Sequence, residues 1–168
     1  RKDAKETLDY FRKQDVQIKI ISGDDPSTVS AIARRCHLLD YEKYIDVSSL
    51  SDEEIKEAVE KYTIFGRVSP QQKKIMITTL QENNHTVAMT GDGVNDVLAL
   101  KAADCSIAMA SGSDAAKSAS HIVLLENNFN AMPHIVNEGR RVINNITASA
   151  SMYLIKTIFS VVLSIGMI

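Results

Sequence analysis

The sequence predicts an α/β domain built on a parallel sheet with helices on both faces. Three observations carry that expectation. Short apolar runs alternate with amphipathic stretches of about ten residues, the pattern of strand–helix–strand units. Polar turns rich in glycine and aspartate fall just after the apolar runs, where open α/β sheets hold their ligands. Capping signals mark the starts of the amphipathic stretches, as in Asp25-Pro26, Ser51-Asp52-Glu53-Glu54 and Ser69-Pro70.

Taken in order, Ala4, Thr7, Leu8 and Phe11 share one face of a first helix. Val16–Ile21 reads as a strand running into Ser22-Gly23-Asp24-Asp25-Pro26, with Asp25 as N-cap. Val29, Ile32, Ala33 and Cys36 form the expected buried stripe of the next helix. Tyr44–Val47 is a short strand, and Ile55, Ala58, Val59 and Tyr62 line the helix that follows. Thr63–Phe65 is a brief strand ended by Gly66-Arg67. The helix opened by Ser69-Pro70 has Lys73, Met76, Ile77 and Leu80 on one stripe. His85–Met89 is a buried strand, and Val94, Leu98 and Ala102 recur after it at helical spacing. A strand at Cys105–Met109, a short helix at Asp114–Ala119, a strand at Ile122–Leu125 and a helix from Phe129 onward complete the set.

Composition narrows the function classes. The chain has 168 residues, enough for one domain with a core, and a net charge of −2. No polybasic surface argues for nucleic acid, and the absence of Trp argues against a base-stacking platform. Cys36 and Cys105 stand far apart without metal spacing and read as small buried apolar residues of a reducing compartment. The four histidines form no ligand pattern. The chain starts at Arg1 and stops within an apolar run, so the expectation is a piece of a longer protein.

The chemistry gathers at Met89-Thr90-Gly91-Asp92-Gly93-Val94-Asn95-Asp96. A strand-to-helix turn points unpaired N–H groups outward and attracts phosphate. Two carboxylates there oppose phosphate unless a hard cation sits between them, and Mg²⁺ takes such oxygen ligands together with phosphate. Lys73 on a core-facing stripe needs an anionic partner or must shed its charge. Ser22 offers a hydroxyl and Gly23 an amide to phosphate oxygens, Lys73 a neutralising charge, and Asp92 a Mg²⁺ ligand. Asn95 can donate to phosphate, and Asp96 would orient Lys73 or a metal-bound water. No acidic residue stands in a convincing nucleophile context, so the site is incomplete within this chain.

Ile21-Ser22-Gly23-Asp24, Phe65-Gly66-Arg67-Val68-Ser69-Pro70-Gln71-Gln72-Lys73 and Thr90-Gly91-Asp92-Gly93-Val94-Asn95-Asp96 resemble, in order, the phosphorylation-domain motifs of P-type cation ATPases. That domain belongs to the haloacid dehalogenase-like superfamily. The resemblance continues through Leu98–Asp104 and Ile107–Met109. It implies a Rossmann-like sheet and an upstream aspartate, in a DKTGT segment, that attacks the ATP γ-phosphate. It further implies that Asp92 binds Mg²⁺, that Lys73, Ser22 and Gly23 hold phosphate, and that Asp24 and Arg67 face the nucleotide. Thr90 and Gly91 belong to the cofactor-binding loop, and Asn95 and Asp96 complete the hydrolytic site. In this family the nucleophile strand is central to the sheet. The expectation is therefore a gap beside Val16–Ile21, with an isolated chain neither active nor well folded. Departures from the family pattern are Ser22 for threonine, Val97-Leu98 for Ala-Pro, and Ala110-Ser111-Gly112-Ser113 for a more glycine-rich loop. They resemble a bacterial branch.

From Ala148 to Ile168 the only charged residue is Lys156, and a span of about 20 apolar residues crosses a bilayer. Arg140 and Arg141 supply the positive cytoplasmic flank. Gly139–Asn145 resembles the stalk leading into the fifth transmembrane helix of these pumps. The resulting division is residues 1–138 as the C-terminal portion of a cytoplasmic phosphorylation domain and residues 139–168 as stalk and transmembrane helix. Lys156 is placed to snorkel to the headgroups, with a fixed charge beside the ion path as the alternative. Where calcium pumps of the family have an Asn and a Glu as ion ligands, a gapless match has Ile158 and Val161, so the transported cation is not legible. The implied partners are ATP, that cation, the bilayer and the upstream parts of the same membrane pump. A soluble phosphatase of the superfamily and a non-catalytic Mg²⁺- or nucleotide-binding module stay open as alternatives.

Overall fold

A computed structural model describes residues 3–126 and 128–166, without the side chains of residues 3 and 4. Ala4 as a helix-face residue, and the end of the apolar run at Met167 and Ile168, therefore lie outside the described residues. The chain divides into two compact units, Arg1–Asn130 and Ala131–Ile168.

The first unit holds α1 (Asp3–Arg12), β1 (Ile20–Ile21), α2 (Pro26–Arg35), β2 (Tyr44–Asp46), α3 (Asp52–Lys61) and β3 (Ile64–Gly66). These are followed by α4 (Pro70–Glu82), β4 (Ala88–Gly91), a 3₁₀ turn at Val94–Asp96, α5 (Val97–Ala102), β5 (Cys105–Met109), α6 (Asp114–Ala119) and β6 (Ile122–Leu124). All the pairings are parallel, in two three-stranded sheets ordered β1-β3-β2 and β4-β5-β6. Among the described residues, β1 and β4 each have a strand on one side only.

The expected capping signals are realised. The Asp25 side chain accepts from Ser27 N, with Pro26 as the first helical residue of α2. Ser51 with Glu54 and Ser69 with Gln72 form reciprocal capping boxes on α3 and α4. Helix α4 joins the two sheets. Its Met76 and Leu80 pack with Val47, Ile55, Val59 and Phe65 against the first sheet. Its Ile77, on the adjacent face, packs with Met89, Ala99 and Leu100 against the second.

Some expectations are corrected. The first strand is confined to Ile20–Ile21, because only those residues find a ladder on β3, and Val16 is exposed. Ile32 is 55% exposed, leaving Val29 and Ala33 to bury α2. Cys36 and Cys105 are only partly buried. Val94 and Leu98 are exposed at 65% and 41%. The 3₁₀ turn breaks the assumed 3.6-residue period, since its side chains repeat every three residues. The buried face after it is Ala99, Leu100 and Ala103.

The second unit is a single helix, α7 (Ala131–Gly166), of 36 residues. At about 1.5 Å per residue it extends about 54 Å, beyond the ~30 Å of a hydrocarbon core. By length and composition it can cross a membrane. Three of its hydroxyl groups bond back to the helix's own carbonyls: Ser151 donates to Thr147 O, Thr157 to Tyr153 O and Ser160 to Lys156 O. That suits a solvent offering no partners.

Candidate active site

The site residues lie at the carboxyl ends of β1, β3 and β4, as the sheet rule requires. They form two groups.

The first group surrounds Arg67. Ser22, directly after β1, accepts from Asp24 N through its Oγ and donates to Asp24 Oδ2, both at 3.1 Å. Gly23 and Asp24 are exposed. Two backbone bonds latch the β3 loop onto this turn, Arg67 N to Asp24 O at 2.9 Å and Val68 N to Ser22 O at 3.0 Å. A Cβ on Gly66 would lie 2.4 Å from Pro26 Cδ, so glycine lets β3 end directly beneath the start of α2. Arg67 has φ 55, a left-handed conformation that costs a residue with a Cβ about 1–2 kcal/mol. Its guanidinium lies 3.0 Å from Asp25 Oδ2 and 3.4 Å from Asp46 Oδ2. Hydrogen bonds from Ser27 hold the Asp25 carboxyl below its usual range, and those from Ser48 do the same for Asp46.

The second group surrounds Asp96. Lys73, on the inner stripe of α4, is buried, as its spacing requires. Its Nζ donates to Asp96 Oδ1 at 2.6 Å, while Gly93 N donates to Asp96 Oδ2 at 3.1 Å. Both carboxylate oxygens are thereby engaged, one by a charge and one by the backbone of the turn. A Cβ on Gly91 would lie 2.7 Å from Asp96 Cβ, so this packing requires glycine there. Thr90 and Gly91 are the last residues of β4, paired with Ile107 and Ala108. Asn95 is exposed on the 3₁₀ turn. Asp92 is exposed as well, and its carbonyl is fixed by Ser113 N at 2.8 Å.

The donor set fits a magnesium ion. Among the described residues no hydrogen bond or ion pair engages the Asp92 carboxylate, and no group of three or more His, Cys, Asp or Glu is arranged to hold a metal ion by itself. Mg²⁺ needs no such cage, since it is held by one or two carboxylates with waters and substrate phosphate.

Among the described residues no hydrogen bond or ion pair joins the two groups. They are linked through the chain, since Arg67 and Lys73 flank the start of α4. Sequence reasoning missed Asp25 and Asp46 as partners of Arg67. Asp46 ends β2, so the carboxyl-end rule could have flagged it. It also missed Gly112 and Ser113, which back the Asp92 carbonyl and are brought there only by the β4–β5 pairing.

A parallel α/β unit with a lysine–aspartate pair and an exposed carboxylate at its strand ends defines a class. The chain belongs to the haloacid dehalogenase-like hydrolases, whose family model matches residues 1–104. More particularly, it corresponds to the C-terminal part of the phosphorylation domain of P-type cation ATPases, followed by a long apolar helix. It is 54% identical over 165 residues to the probable cation-transporting ATPase exp7 of Streptococcus pneumoniae, covering 98% of this chain and 21% of that protein. It is 51% identical over 167 residues to the calcium-transporting ATPase CtpE of Mycobacterium bovis, with the same two coverages. The chain thus spans about a fifth of these relatives. Among solved structures, a zinc-transporting PIB-type ATPase in the E2.Pi state superposes with TM-score 0.69 at 26% identity. That match covers 88% of this chain and 20% of the other. The catalytic domain of the CPx-ATPase CopB-B superposes with TM-score 0.63 at 26% identity, covering 81% and 45%.

Proposed function

We propose that this chain is the part of an ATP-driven cation pump that binds magnesium and phosphate while an aspartyl phosphate forms and is hydrolysed. The observation that carries the reading is the buried Lys73–Asp96 pair beside the exposed, unengaged Asp92. Asp92 would hold Mg²⁺, which supplies positive charge to the transferring phosphoryl group. Asp96 fixes Lys73 so that its remaining ammonium hydrogens serve phosphate oxygens. Ser22 and Gly23 offer a hydroxyl and an amide at the neighbouring strand end, and Asn95 a side-chain amide. Asp24 and Arg67 face the nucleotide, and Thr90 and Gly91 shape the loop. The nucleophile strand would come from the upstream part of the pump and fill the unpaired edges of β1 and β4.

In this reading residues 1–138 are the cytoplasmic phosphorylation portion and residues 139–168 the stalk and membrane span of a bacterial cell-membrane pump. Calcium is the first cation to test, because relatives at about 51% identity carry that name. The test of mechanism is acid-stable ³²P incorporation from γ-labelled ATP into the parent protein. Asp92→Asn should reduce it and raise the Mg²⁺ requirement, and undiminished phosphoenzyme would reject the assignment. Stimulation of ATP turnover by Ca²⁺ against Mn²⁺, Na⁺ and K⁺ tests the cargo.

A further inference from the structure

Arg67 is held from three directions. Its backbone N–H donates to Asp24 O, and its guanidinium meets Asp25 at 3.0 Å and Asp46 at 3.4 Å. The strand order β1-β3-β2 explains how. Arg67 leaves the middle strand, so carboxylates following β1 and ending β2 approach it from opposite flanks. Each carboxylate is itself fixed by a serine two residues on. Asp25 accepts from Ser27 N and Oγ, and Asp46 accepts from Ser48 N at 2.9 Å and Ser48 Oγ at 2.6 Å. An arginine that is 54% exposed would otherwise sample many rotamers.

We propose that Asp46, together with Asp25, is a positioning residue that holds the Arg67 guanidinium in one orientation for the nucleotide. This rests on the reading that Arg67 meets ATP. Ordering a long side chain before the ligand arrives lowers the entropy lost on binding. The left-handed backbone of Arg67 aims the side chain between the two carboxylates, and they keep it there. Asp25 also caps α2, so Asp46 is the cleaner probe.

The test uses the full-length pump. Asp46→Asn keeps an oxygen for Ser48 and removes the charge facing Arg67. The expected result is a rise of about two- to fivefold in KM for ATP, the scale of an exposed ion pair, with kcat changed less. Asp46→Glu should restore part of the loss, and Asp46→Asn should add nothing on an Arg67→Ala background. A purely structural role would act equally on both backgrounds. If Arg67→Ala raises KM while Asp46→Asn leaves it unchanged, or if the two effects simply add, the positioning role is overturned. If Arg67→Ala itself leaves KM unchanged, the placement of Arg67 at the nucleotide fails, and this inference with it.

Discussion

Lys73 Nζ lies 2.6 Å from Asp96 Oδ1, with only 10% and 13% of the two side chains exposed. The pair connects the helix that joins the two sheets to the turn that presents Asp92. Removing one partner of a buried ion pair strands the other charge, at a cost of about 3–5 kcal/mol, whereas replacing both with apolar groups is often neutral. Asp96→Ala should therefore lower the melting temperature of the parent protein sharply. Lys73→Met with Asp96→Leu should recover much of that stability and none of the phosphoenzyme. A double variant no more stable than Asp96→Ala would reject this account of the pair.

Gly66 and Gly23 make a matched comparison. A Cβ on Gly66 meets the Pro26 ring and backbone nitrogen at 2.4–2.5 Å, while nothing lies within 4 Å of one on Gly23. Gly66→Ala should destabilise by about 1–3 kcal/mol through forced backbone displacement. Gly23→Ala should leave stability within about 0.5 kcal/mol. Chemical denaturation of the two variants separates these outcomes.

Arg67→Gly and Arg67→Ala both lose the ion pairs, but only the glycine variant is relieved of the left-handed cost. The glycine form should be more stable by about 1 kcal/mol. Equal melting temperatures would show that Arg67 carries no backbone strain.

The pH dependence of stability follows from hydrogen-bonded carboxylates. Asp25, Asp46, Glu54, Glu60, Asp104 and Asp114 sit below their ordinary range. The main donors are Ser27, Ser48, the Ser51 backbone, Asn83, the Val87 backbone and Lys117 respectively. A depressed folded-state value means the unfolded chain binds protons first as pH falls. The stability is present above the ordinary carboxylate values of about 4 and is lost progressively below them. Lys19 adds a second arm. Burial lowers its pKa, so the unfolded chain again binds more protons, and stability rises with pH toward the ordinary lysine value of about 10.4. Melting temperatures measured from pH 3 to 10 should fall on the acid side, and a flat acid limb would contradict this.

Helix α7 should take a transmembrane orientation when residues 131–168 are reconstituted as a peptide in vesicles. Oriented circular dichroism is the measurement, with alignment along the bilayer normal expected. A helix lying flat on the surface would remove the membrane-span reading.

What the sequence determined by itself was whatever local chemistry decides. Asp25-Pro26, Ser51–Glu54 and Ser69–Gln72 start α2, α3 and α4 as their spacing predicts, because capping needs only residues within one turn. The burial of Lys73 was legible for the same reason, since its stripe partners Met76, Ile77 and Leu80 lie on its own helix. The order of motifs along the chain likewise carried the class of protein. The tertiary structure decided how far the first strand runs, because a strand extends only as far as it has a neighbour to bond. It decided that Val94 and Leu98 face solvent, because Asp96, tied to both Lys73 and Gly93 N, draws the turn into a 3₁₀ geometry before α5 begins. It also decided the company of Arg67. Asp46 lies 21 positions earlier in the chain and on another strand, so only the sheet order could bring its carboxylate to the guanidinium.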